Sequence, residues 1–192
     1  ENNYTQFLPF DKRGLTGCLS FINVDILKVS VKSSSTNCED ALNFINTNGQ
    51  IDKIEISDAT SDALDIDFSN LSIDQILIKN AGNDCLDVSS GKYNIHTLKV
   101  NNCGDKGFSI GEKSFVRNEY LNVNNSEIGL ASKDSSTTNL NFSEIKNVKT
   151  CLAAYKKKQE FFGSSISIKN FMCENYNNKT DIDQYSNILF NK

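Results

Sequence analysis

Asp65 and Asp87 stand one repeat apart in the matching stretches "SDALDID" (61–67) and "NDCLDVS" (83–89), and Asp67 lies two residues beyond Asp65. Carboxylates paired at short range can share acid and base roles. Further along come Glu112 and Lys113 in "SIGEKS", Lys133 and Asp134 in "ASKDSS", and Lys156, Lys157 and Lys158 in "AAYKKKQEF". Read along the chain, this set turns from acidic to basic, with Gly111, Ala131, Ala153 and Ala154 between the charges. A flat, open face of this kind suits an extended polyhydroxylated chain, including an acidic one.

The spacing of these residues dictates the elements that carry them. Ala41-Leu42, Ala63-Leu64, Cys85-Leu86, Gly107-Phe108, Gly129-Leu130 and Cys151-Leu152 follow one another at 22-residue intervals, with Cys18-Leu19 a further 23 residues upstream. A fixed period without drift marks a repeat architecture. Within each unit, "KIEI", "QILI" and "TLKV" alternate or run apolar in strand fashion, and helical spacing is missing. Two to three short strands per unit, without hairpin turn pairs, predict an all-β parallel β-helix of about seven coils stacked ~4.8 Å apart.

Stacking turns the repeat into columns. Leu42, Leu64, Leu86, Phe108, Leu130 and Leu152 point inward, as do Phe44, Ile66, Val88 and Ile110 two residues on. Asn43, Asp65, Asp87 and Ser109 lie between them and face outward, because strand side chains alternate. Asp58, Asn80 and Asn102, with Asn125 one step out of phase, form a turn column. Asn and Asp at such corners bond backbone groups. The predicted rod covers 17–173, with a lead-in or cap at 1–16 and a polar cap or tail at 174–192, all within a longer protein.

The composition excludes some functions. A net charge of −4 argues against a general nucleic-acid binder, and there is no apolar run long enough to span a membrane. The six cysteines lack a Cys-x-x-Cys pair, so structural zinc is not expected. Cys18, Cys85 and Cys151 share the small-residue column three rungs apart, and Cys103 shares a column with Ala59 and Ala81. On this reading all six are free, buried core residues, Cys85 and Cys103 lie at opposite ends of one coil, and the compartment is reducing and cytoplasmic.

These repeats, with "EDALN", "GNDCLDVSSG" and "GDKGFSIGEKS", resemble the right-handed parallel β-helix proteins of the pectate-lyase-like superfamily. More narrowly, they are similar to a largely uncharacterised bacterial β-helix repeat family whose members often close larger proteins. The resemblance implies a single-stranded right-handed solenoid associated with carbohydrate. For a lyase it implies Lys113 or Lys133 as base, with Glu112 and Asp134 as possible calcium ligands. For a hydrolase it implies Asp65 and Asp87, whose rung spacing of ~5 Å is nearer the retaining than the inverting separation. The superfamily's Gly-His-Gly and Tyr-Gly signatures are absent, and the single histidine, His96, sits in another strand. The expectation is a carbohydrate-binding or carbohydrate-modifying β-helix with ligand contacts at Asp67, Glu112, Lys113, Lys133, Asp134, Lys156 and Lys157. Its weak catalytic candidates are Asp65, Asp87, Lys113 and Lys133, and no cofactor is required beyond the possible Ca²⁺. The alternative is a non-catalytic rod that docks other domains of its parent protein.

Overall fold

A computed structural model describes residues 10–191. Its strands are β1 (Gly17–Ile22), β2 (Asp25–Thr36), β3 (Asp40–Ile45), β4 (Asn48–Ala59), β5 (Asp62–Asp67), β6 (Asn70–Ala81), β7 (Leu86–Ser89), β8 (Lys92–Cys103), β9 (Lys106–Gly111), β10 (Phe115–Lys133), β11 (Thr137–Tyr155), β12 (Ser165–Ile182) and β13 (Asn187–Phe190). All pair in parallel within one continuous sheet, which winds as a β-solenoid of about eight turns.

Two ladders run up the rod. The short strands β1, β3, β5, β7 and β9 stack in order and continue into the C-terminal part of β10. The longer strands β2, β4, β6 and β8 stack onto the N-terminal part of β10. From β10 onward each strand carries both ladders, through β11 and β12. Pairing passes Glu174 and reaches Ala154↔Ile182, and β13 adds to β12 beyond it.

The 22-residue period is thus a hydrogen-bond register. Leu42 pairs with Leu64, Leu64 with Leu86, Leu86 with Phe108, and Phe108 with Leu130. All five are fully buried. A column of like side chains fills the axis without gaps, which close-packed interiors require. The small-residue corner has a steric cause: a Cβ on Gly107 would sit 2.5 Å from Val123, and one on Gly129 would sit 2.6 Å from Ile145.

The turn columns satisfy their own polar groups. Asn80 donates its amide to Asp58 (2.6 Å), Asn102 to Asn80 (3.0 Å), and Asn125 to Asn102 (2.8 Å). A second ladder runs from Asn70 to Asn48 (3.0 Å) and from Asn48 to Asp25 (3.3 Å). Asp58, Asn80, Asn102 and Asn125 all have positive φ, a conformation that Asn and Asp accept more readily than other side chains.

The cysteine expectation is overturned. Cys18–Cys38, Cys85–Cys103 and Cys151–Cys173 are disulfides, and no free cysteine remains. Cys103 does follow Ala59 and Ala81 in its column. The error lay in placing Cys85 and Cys103 at opposite ends of a coil. A coil of a solenoid closes on itself, so its first and last residues meet, here with α-carbons 5.4 Å apart. Three disulfides place the chain in an oxidising, extracellular-type compartment, which replaces the reducing, cytoplasmic one. Among the described residues no helix is long and apolar enough to cross a membrane.

Candidate functional site

Outward residues of the short-strand ladder open into one cleft of about 220 Å³. It is lined by Asp65, Asp67, Asp87, Ser89, Gly111, Glu112, Lys133, Asp134, Lys157 and Lys158. The register explains the gathering. Asn43 pairs with Asp65, Asp65 with Asp87, and Asp87 with Ser109, so one outward column carries both candidate carboxyls on adjacent rungs. Asp67 pairs with Ser89 in the next outward column. Beneath the cleft, the buried Tyr93 hydroxyl lies 3.0 Å from the Ile66 carbonyl and 2.7 Å from that of Ser89. It ties β8 to the backbone that presents the aspartates.

The acidic end is heavily desolvated. The Asn43 amide donates to Asp65 Oδ2 at 2.8 Å and to Asp40 Oδ2 at 3.2 Å. Burial, reinforced by the charges of Asp67, Asp40, Asp87 and Asp62, pushes the Asp65 carboxyl well above the usual carboxylate range. Burial also raises Asp87, to about 6, although the Lys133 ammonium pulls the other way. One corner earlier, burial lifts Asp62 to about 7 and raises Asp40 and Asp84. Charges removed from water disfavour ionisation, and stacked carboxyls cannot all ionise together. Asp65 is thus held towards its protonated form more strongly than Asp87, so the two carboxyls of the column are unequal. Ser89 donates to Asp67.

The basic end is built differently from the sequence expectation. Lys133 is almost wholly buried, and its ammonium donates to Ser109 Oγ at 2.7 Å. Asp134 caps a turn, with Oδ1 accepting the backbone amides of Lys157 and Lys158 at 2.7 and 2.8 Å. Glu112 pairs with Lys158. The two calcium candidates thus direct their carboxylates at protein donors. Among the described residues no group of three or more His, Cys, Asp or Glu is disposed to hold a metal ion.

Of the expected site residues, Asp65, Asp67, Asp87, Glu112, Lys133, Asp134 and Lys157 line this cleft. Lys113 and Lys156 do not. The Lys113 ammonium lies 5.7 Å from the Phe161 ring centre, and Lys113 borders a neighbouring hollow with Ser90 and Phe115. Lys156 lies over Tyr185, also at 5.7 Å, and its amide bonds Asp183. Sequence analysis named Lys158 and Ser109 but gave neither a place among the ligand contacts. Lys158 was visible as the third lysine of its run, and Ser109 as the next member of the Asp65–Asp87 column.

The chain matches no family model, no curated protein and no solved structure.

Proposed function

We propose that the protein is a carbohydrate-associated β-solenoid of the pectate-lyase-like kind, whose cleft holds an extended polysaccharide running along the rod. One observation carries the reading. Two desolvated carboxyls, Asp65 and Asp87, stand on consecutive rungs and open into a single cleft beside polar groups that can meet hydroxyls. A cleft with a few convergent polar groups and perturbed carboxyls is the default location for binding or catalysis. If the sugar is modified as well as bound, Asp65 supplies the proton and Asp87 receives one. An oxidising compartment is where such polymers are met.

The test is a glycan-array screen followed by incubation with any glycan retained. Binding with slow cleavage, lost in Asp65→Asn and Asp87→Asn without loss of binding, supports a modifying enzyme. Binding without turnover supports a binding module. The second reading, a rod that docks other parts of a larger protein, draws on the exposure of Leu27 (84%) on the first turn and of Tyr185 (62%) and Leu189 (57%) on the last. Retention of no glycan would leave that reading in place.

A further inference from the structure

Phe68 occupies the turn after Asp67 with φ of 51° and 59% of its surface exposed. The equivalent turns hold Asn46 and Ser90, small polar residues at the same positive φ. A bulky aromatic in this conformation is strained, and here it stays mostly exposed. Strain of this sort collects at ligand sites. Further up the rod, Phe162 is 82% exposed, and its backbone is fixed to Ser135, the neighbour of the cleft residue Asp134, by bonds of 2.8 and 2.9 Å. Four rung spacings separate the two rings' turns, which puts them ~19 Å apart along the rod.

Charge narrows the ligand further. The cleft lining has five carboxyls (Asp65, Asp67, Asp87, Glu112, Asp134) against three ammonium groups (Lys133, Lys157, Lys158). Two of those three are already engaged, Lys133 by Ser109 and Lys158 by Glu112. With Asp65 held towards its protonated form, four carboxylates face three ammonium groups, so a polyanion finds no net positive charge here.

Resting on the polysaccharide reading above, we infer that the ligand is an uncharged glycan whose sugar rings stack on Phe68 and Phe162 and whose hydroxyls face the polar floor between them. A pyranose presents a face of C–H groups, and an aromatic ring presents the negative π-face that attracts them. Uncharged hydroxyls can bond both the carboxyl and the ammonium groups of a mixed floor without a desolvated charge of their own.

The experiment is affinity electrophoresis of the full chain, with Phe68→Asn and Phe162→Ala, through gels containing β-glucan, xylan, polygalacturonate, alginate or chitosan. Wild type should be retarded by a neutral glycan, β-glucan or xylan. Each variant should bind that glycan about tenfold more weakly, the scale of one lost ring contact. Phe68→Asn should melt at the same temperature or higher, because Asn relieves the backbone strain. A ring that served packing would give the opposite, a lower melt. Retardation by polygalacturonate, alginate or chitosan alone overturns the inference, and so does neutral-glycan binding unchanged in both variants, while the polysaccharide reading survives either result. Retardation of wild type by none of the five overturns both.

Discussion

Cys85 and Cys103 are joined across the seam where one turn of the solenoid ends and the next begins, with their α-carbons 5.4 Å apart and a sequence separation of 18. The bridge fixes the circumference of the turn that carries Asp87. It closes that turn covalently, whereas the neighbouring turns that carry Asp65 and Ser109 have no disulfide.

Replacing both Cys85 and Cys103 with alanine should destabilise the protein by about 3 kcal/mol, the entropy released to the unfolded chain by opening a loop of this size. For a chain of this length the melting temperature should fall by roughly 6–12 °C. Thiol titration of the unreduced protein in denaturant should find no reactive group.

The column assignment separates adjacent residues. Leu86→Asp places a carboxyl on the fully buried axis between Leu64 and Phe108 and should cost about 4 kcal/mol or more. Asp87→Leu, on the outward column, should leave the melt within a few degrees of wild type or raise it, because it removes a desolvated carboxyl. Equal losses from both substitutions would contradict the inward–outward alternation.

Stability should decline as pH rises. Asp62 holds its proton more tightly folded than unfolded, with its pKa raised from 3.8 to about 7, and Asp87 is raised to about 6. The contribution of a raised carboxyl is fully present below pH 3.8 and is lost as pH climbs through the folded pKa. Thermal melts at constant ionic strength should therefore fall by several degrees between pH 4 and pH 7. Asp62→Asn should flatten that slope.

The Lys133 charge holds Asp87 down against burial. In Lys133→Met the Asp87 carboxyl should titrate above its present value of about 6, as read by carbon-detected NMR of the carboxyl group. An unmoved Asp87 would mean that Lys133 is electrostatically remote from it.

Much of the architecture was legible in sequence because a parallel stack repeats one environment at one period. Leu64, Leu86 and Phe108 could be assigned to the axis without coordinates, and Asp65 and Asp87 to one outward column. What escaped was whatever depends on closure or on broken phase. The disulfides escaped because a linear reading of a coil hides the meeting of its ends. Lys113 and Lys156 escaped because they lie at turns: Lys113 has positive φ, and Lys156 opens the segment that bonds Asp134. There the 22-residue count no longer fixes where a side chain goes. The burial of Lys133 against Ser109 escaped for a different reason, since a lysine after two small residues, Ala131 and Ser132, reads as a solvated charge.

The two Asn ladders have one further consequence. In each recorded step the later residue's amide donates to the earlier residue, and the ladders terminate on the carboxylates of Asp58 and Asp25. Side-chain dipoles aligned this way reinforce one another. They give the rod a vector sense, with an anionic foot and donors that always reach back to the preceding turn. A newly docked turn finds its acceptors already in place below it.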